Sequence, residues 1–419
     1  MKIGIELDRN DFMYDIHSLV KSFYPDDEVS VYTAEDKEKA EMPRNLVFSV
    51  AVPSYDAADR KQTKDRLKQE LYRTLSAMTG QELPWGMLSG IRPTRIPMKM
   101  LSEGAPREDI LRHLTEDDFV SPEKAELAVR VAEKERSLLA PYPQPADTYS
   151  LYLHIPFCPS ICSYCTFSSN PAGVWADKID AYLEAMLEEM REKAEMLRDS
   201  GRGCAPVSVY IGGGTPTALS AAQLDRVLGE IHRVWDTSHL AEFTVEAGRP
   251  DSITEDRLSV LKEGGVTRIS VNPQTMNDRT LERIGRRHTA ADTVRAYRMA
   301  RAAGFDNINM DIILGLPEEG EKEVRHTLDR IRELSPDSLT VHSLALKRAS
   351  RLRQQIRESG EAGEDGIKAA GLAFLDAGRL MAMAEETASL LSMEPYYLYR
   401  QKNMRGNLEN TSFARPGKE

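Results

Sequence analysis

The chain reads as an α/β protein built around a partial barrel of parallel strands, with a separate α/β unit before the barrel and an extension after it. Three observations predict this. Between residues 148 and 345 short β-rich runs alternate with helical stretches six times, which calls for a parallel sheet with helices outside. The run Ala140-Pro141-Tyr142-Pro143-Gln144-Pro145 cannot continue a helix and separates that region from what precedes it. The most distinctive residues fall at the C-terminal ends of predicted strands, where barrels of this kind gather their chemistry.

Residues 1–145 form the first expected unit. Strands are predicted at Met1–Leu7, Val29–Tyr32 and Leu46–Val52, and helical spacing at Phe12–Phe23 and Thr63–Met78. A turn-rich basic segment, Gly90-Ile91-Arg92-Pro93-Thr94-Arg95, precedes two polar-faced helices near 106–114 and 121–139. The barrel, 146–345, is predicted from strands at Ser150–Ile155, Ser208–Ile211, Glu242–Glu246, Arg268–Val271, Asn307–Ile313 and Ser338–His342. Helices fall between them at Asp177–Arg198, Ala221–Trp235, Glu255–Glu263, Ala291–Ala303 and Lys322–Leu334. The third unit, 346–419, reads as a C-terminal helical extension: a charged, Gly-interrupted stretch at Arg348–Gly366, a long helix Ile367–Leu391 and a short strand Tyr396–Arg400.

Composition narrows the function. A hydrophobic fraction of 41% suffices for buried cores, and a net charge of −11 argues against a surface that tracks nucleic-acid phosphates. Neither a basic-then-apolar leader nor an apolar run near the roughly 20 residues of a membrane span is found, so a cytoplasmic protein is expected. Cys204 stands alone while Cys158, Cys162 and Cys165 crowd into eight positions, which excludes a disulfide framework and suits a reducing compartment.

Those three cysteines sit in a loop rich in Pro and Ser. Three thiolates can hold three irons of a cubane cluster, leaving the fourth iron open to a substrate. A zinc site, with a fourth ligand such as His154, and inert buried thiols are the alternatives. Gly212-Gly213-Gly214-Thr215-Pro216 follows a predicted strand; without side chains its backbone can approach a ligand, though a tight turn also uses glycine. Glu246, Gln274 and Asp311 close three later strands, where an acid holds ribose hydroxyls or an ammonium and where helix caps also sit. Arg283, Arg286, Arg287 and His288 form a basic knot at a helix end, which a helix dipole alone would explain. Lys347, Arg348, Arg351 and Arg353 follow the sixth strand, placed to meet a substrate with several carboxylates.

In order along residues 148–345, Cys-x3-Cys-x2-Cys after His-Ile-Pro-Phe, Gly-Gly-Gly-Thr-Pro, Val-Glu-Ala, Asn-Pro-Gln-Thr-Met-Asn-Asp and Asp-Ile-Ile-Leu-Gly-Leu-Pro closely resemble the radical S-adenosylmethionine (SAM) family. Within it the match is to the oxygen-independent coproporphyrinogen dehydrogenase group and its haem-chaperone relatives. Val-Glu-Ala-Gly-Arg-Pro-Asp and the N-terminal Trp-Gly-x-Leu-x-Gly-Ile-Arg-Pro-Thr look most like its HemZ-like branch.

The resemblance implies a radical SAM partial (β/α)6 TIM-type barrel and a cytoplasmic enzyme. Cys158, Cys162 and Cys165 would ligate a [4Fe–4S] cluster, and Tyr152, Gly213 and Glu246 match positions that contact the SAM bound to it. Tyr164, Gly214, Thr215, Gln274, Arg286, Asp311 and Ala345 match the positions around a second SAM. The implied chemistry is reductive cleavage of the sulfonium to a 5′-deoxyadenosyl radical. That radical takes hydrogen from a propionate β-carbon, carbon dioxide leaves and a vinyl group results. A tetrapyrrole substrate and an electron donor protein such as a flavodoxin or ferredoxin are the implied partners. Two departures separate the chain from the dehydrogenases: Phe167 stands where they carry a fourth cysteine, as in the chaperone-like branch, and the ending Pro416-Gly417-Lys418-Glu419 reads as an incomplete C-terminal domain. A haem-binding delivery protein and an enzyme for another carboxylated tetrapyrrole are therefore the competing expectations.

Overall fold

The computed structural model describes residues 1–25, 27–33, 35–36, 44–142, 148–201, 205–347, 349–358, 376–401 and 407–419. Pro143–Pro145, Cys204, Arg348 and the first part of the expected helix Ile367–Leu391 lie outside the described residues.

The first unit is a three-stranded parallel sheet in the order β2 (Glu28–Thr33), β1 (Lys2–Leu7), β3 (Leu46–Val50). Its helix Met13–Phe23 buries Ile16, Leu19, Val20 and Phe23, an i, i+3, i+4, i+7 stripe that faces the sheet. Leu67, Leu71 and Leu75 of helix Arg60–Thr79 join the same core. The segment read as a basic turn ends in a helix, Arg95–Ser102, which packs with helix Pro122–Leu139. Ser121 caps the latter, its side chain accepting from Lys124 N.

The barrel follows the predicted alternation. Parallel strands β4 (Ser150–Ile155), β7 (Ser208–Gly213), β8 (Glu242–Val245), β9 (Arg268–Ser270), β10 (Ile308–Leu314) and β11 (Ser338–Ser343) are neighbours in sequence order. Between β4 and β7 lies a short pair, β5 (Phe157–Cys158) with β6 (Asn170–Pro171). Alternate side chains of the long strands, such as Val209, Ile211, Phe243 and Val245, pack against the outer helices in one continuous core.

The last unit departs from a helical extension. Its described residues give helices Arg351–Glu358 and Ala377–Leu390, and also two strands, β12 (Glu394–Tyr399) and β13 (Asn410–Ala414). Both strands join the barrel sheet antiparallel, β13 against β11 and β12 outermost, making eight strands. β13 is wholly buried yet polar, because its side chains bond across the sheet: Asn410 Oδ1 accepts from Ser343 N at 2.9 Å, and Ser412 Oγ lies 3.2 Å from Thr340 Oγ1. A sequence with that composition does not announce a buried strand.

Candidate active site

The cysteine loop leaves β4 through Pro156 and is tied at its base by the β5–β6 pair. Ser163 N donates to the Ile284 carbonyl at 2.9 Å, Leu352 N to the Ser163 carbonyl at 2.8 Å, and Ser160 Oγ to the Gly285 carbonyl at 2.8 Å. Arg249, 3% exposed, clamps the loop from inside. Its guanidinium donates to Ser160 O at 3.2 Å and Ser160 Oγ at 3.0 Å, grips both oxygens of Asp251 at 3.0 Å, and lies 3.7 Å from Cys162 Sγ. Thr215 Oγ1 sits 3.4 Å from Cys158 Sγ.

Burial pushes the Cys158 and Cys165 thiols up, so a metal must displace protons to bind them. His154, the neighbour a zinc site would draw on, directs Nε2 to the Ser168 carbonyl at 3.2 Å. Among the described residues no group of His, Cys, Asp or Glu is arranged around a single metal ion. Three soft ligands from one loop, with donors aimed at two of the sulfurs, fit a [4Fe–4S] cluster.

The glycine triplet is demanded by the protein itself. A Cβ on Gly214 would stand 2.7 Å from the Phe157 carbonyl and 2.8 Å from that of Ile155, and Gly213, at φ +106°, would meet the His154 ring at 2.3 Å. Instead Gly214 N donates to Ile155 O at 2.8 Å and Thr215 N to Phe157 O at 2.7 Å, stitching the cysteine loop to the exit of β7.

Inside the barrel mouth lies a cavity of about 450 Å³ whose wall includes Cys165, Tyr164, Glu246, Gln274, Asp311 and Ala345. Two carboxylates there behave oppositely. Burial, reinforced by Asp311, pushes Glu246 up to about 7, although it accepts from Tyr210 Oη at 2.5 Å and Gly213 N at 3.2 Å. Burial also opposes the charge on Asp311, but His342 Nε2 at 3.6 Å and Asn309 Nδ2 at 2.7 Å hold its carboxyl below the usual range. One acid is thus poised near neutrality and the other stays ionised. Gln274 takes a left-handed backbone at φ +66°, locked by Gln274 N to Asp311 O and Ile313 N to Gln274 O, both 2.9 Å, and its Oε1 has no protein partner.

Not every sequence candidate reaches the cavity. Tyr152 is 61% exposed on β4 and stacks on Tyr210 at 5.9 Å between centroids, beside the wall. Arg286 is buried and donates to the Asn272 carbonyl at 2.5 Å and to Tyr164 Oη at 3.5 Å, so it braces the wall. Gly213, Gly214 and Thr215 act on the cysteine loop and on Glu246. Of the basic residues after β11, Lys347 lines the cavity, whereas Arg351 lies across the cysteine loop in a different groove. The sequence reading missed Arg249, His342, Arg268 and the roof tyrosines. His342 joins Asp311 to Tyr399, whose hydroxyl lies 3.4 Å from Nδ1. Arg268 points inward, donating to Tyr396 Oη at 2.9 Å and Ser338 Oγ at 3.1 Å. A register shift between Pro395 and Tyr397 turns Tyr396, Tyr397 and Tyr399 toward the cavity together. The run Tyr396-Tyr397-Leu398-Tyr399 was the available signal.

Comparison with known proteins gives three findings. Residues 152–331 match the Radical SAM superfamily. The oxygen-independent coproporphyrinogen-III oxidase-like protein HemZ of Bacillus subtilis is 38% identical over 360 residues, 86% of this chain and 70% of that protein; the heme chaperone HemW of the same species is 39% identical over 199 residues, 47% of this chain and 51% of that protein. The coproporphyrinogen III oxidase HemN of Escherichia coli, a radical SAM enzyme, superposes with a TM-score of 0.52 at 25% identity over 67% of this chain and 59% of its own. The chain therefore spans about half of the chaperone and under two thirds of HemN.

Proposed function

We propose a radical enzyme acting on a propionate-bearing tetrapyrrole, on the premise that the chain belongs to the radical SAM superfamily, among the relatives of HemZ. The superfamily's cofactors, a [4Fe–4S] cluster and SAM, supply when bound a hydrogen-abstracting radical through one-electron cleavage of the sulfonium. One observation carries the reading: Cys165 opens onto the same cavity as Glu246, Gln274 and Asp311.

In this reading Cys158, Cys162 and Cys165 hold the cluster, and Glu246 with the Gly213 backbone receives the ammonium of SAM beside it. Tyr152, through its stack on Tyr210, fixes the hydroxyl that Glu246 accepts. Tyr164, Gln274, Asp311 and Ala345 offer the second polar cradle, with Arg286 bracing Tyr164 and with Gly214 and Thr215 holding the cysteine loop beside it. Lys347 and the inward Arg268 provide cations for propionate carboxylates, and the roof tyrosines provide flat walls for a macrocycle. An electron donor protein such as a flavodoxin or ferredoxin completes the reaction.

A second reading, a haem-binding delivery protein, is favoured by Phe167, which stands 67% exposed at the cavity wall where the dehydrogenases have a cysteine. One experiment separates them: oxygen-free reconstitution with coproporphyrinogen, SAM and reductant. Release of 5′-deoxyadenosine with protoporphyrinogen supports the enzyme; stable haem binding without porphyrinogen turnover supports the carrier. SAM cleavage with coproporphyrinogen left untouched removes this substrate.

A further inference from the structure

The basic knot after helix Asp278–Arg283 is not absorbed by the cavity. Arg287 lines a separate groove on the outer side of the cysteine loop, together with Arg351, Pro159, Ser160 and Ile161. The last three are residues between the ligand candidates Cys158 and Cys162. A molecule seated in this groove is thus separated from the sulfurs only by the loop itself. The groove measures about 420 Å³ and is too shallow to enclose a cofactor, since it opens widely to solvent.

Its charge is largely unpaired. Several arginines of the outer helices are neutralised in place, as in Arg226 with Glu184, Arg295 with Asp292, Arg325 with Glu321 and Arg332 with Asp329. Arg287 and Arg351 are exposed and make no ion pair with any described residue, as is true of the adjacent Arg283. Only Glu282 offsets them within the groove. A chain of net charge −11 has therefore left uncompensated positive charge over its cysteine loop, where the cost of unpaired like charges is justified by attraction to an acidic partner.

We propose that the surface formed by Arg283, Arg287 and Arg351 docks an acidic electron-carrier protein. It rests on the radical reading above and is independent of the substrate. The reduced carrier gives up one electron, which crosses the loop Pro159–Ile161 and is accepted at the cluster; no bond forms and no proton crosses. The carboxylates of the carrier meet guanidinium groups that are already free, so docking breaks no ion pair of this chain.

The test compares Arg287→Glu with Arg351→Glu in one chain against a charge-matched control, Arg226→Glu with Arg332→Glu. Binding of an acidic flavodoxin and of an acidic ferredoxin is measured directly at low and at raised salt, and cluster reduction is timed with the reduced carrier and, separately, with dithionite. The groove variant is expected to weaken binding and slow carrier-driven reduction about tenfold, to flatten the salt dependence, and to leave dithionite-driven reduction unchanged. The control is expected to change neither by more than about twofold. The proposal is overturned if neither carrier binds the unaltered protein, if groove and control variants behave alike, or if an acidic protein without a redox centre binds the groove equally well. Absence of any dithionite-reducible cluster would sink the radical reading instead, and the binding arm would still decide the surface.

Discussion

The floor and the roof of the cavity are held by different forces. The floor is the run of parallel strands β7 to β11, in which a backbone ladder and a continuous apolar face bring together Glu246, just after β8, Gln274, bridged to Ile312, and Asp311, which lies inside β10 rather than at the strand end expected of it. The roof, β12 and β13, is pinned from the N-terminal unit by buried charge. Glu409, with no exposed surface, accepts from Trp85 Nε1 at 2.7 Å and from Lys124 Nζ at 2.7 Å, and its carbonyl accepts from Ser343 Oγ at 3.3 Å. Arg400 donates to the Leu88 carbonyl and Asn407. The described residues of 1–142 thereby brace the roof, and none of them lines the cavity. The floor should tolerate changes of charge but not of backbone volume, and the roof the reverse.

Substitutions can break or sharpen that contrast. Cys162→Ala, on the floor side, should abolish cluster loading and lower SAM cleavage by about a thousandfold or more, with apoprotein stability shifted by no more than about 1 kcal/mol; iron analysis and thermal unfolding check it. Glu409→Ala leaves Trp85 Nε1 without a partner and Lys124 with Glu385 alone, and should cost about 3–5 kcal/mol in urea unfolding. Hydrogen exchange should then accelerate in β12 and β13 ahead of β7 to β10. Should all strands loosen together, roof and floor are one unit and the contrast fails.

Smaller effects test the floor itself. Gly214→Ala presses a methyl group against two backbone carbonyls and should cost about 1–3 kcal/mol and impair cluster loading, while the same change at Gly229, where nothing lies within 4 Å, should cost neither. Glu246 gives a pH signature. Its carboxyl is raised from 4.5 to about 7, so the folded state holds the proton more firmly. The associated stability is fully present below pH 4.5 and is lost as pH rises through about 7. Glu246→Gln should flatten that loss by about 2 kcal/mol, measured as the difference in unfolding free energy between pH 5 and pH 8.

Much of the floor was legible because each βα repeat is local. Predicted Ser150–Ile155 and Glu255–Glu263 coincide with the structure, and the other barrel elements shift by one or two residues at their ends. The glycine triplet was legible as a special backbone, but its reason was not: His154 and the carbonyls of Ile155 and Phe157 come from another strand. Arg249 was invisible as a clamp because its partners Ser160 and Cys162 lie some ninety residues away, at separations of 89 and 87. Arg351, read as a substrate contact from its place after β11, turned out to face away from the cavity.

Local spacing alone determined the parallel barrel, the three-cysteine loop and the acid that follows β8, since the 2-residue and 3.6-residue periods fix which side chains leave a strand or helix on which side. Only the folded chain decided that Glu246 sits near neutrality while Asp311 is ionised, that His342 bridges Asp311 to Tyr399, and that β12 and β13 close the cavity. These depend on polar groups distant in sequence meeting where water is excluded, and the same residue types would serve equally well on a solvated surface.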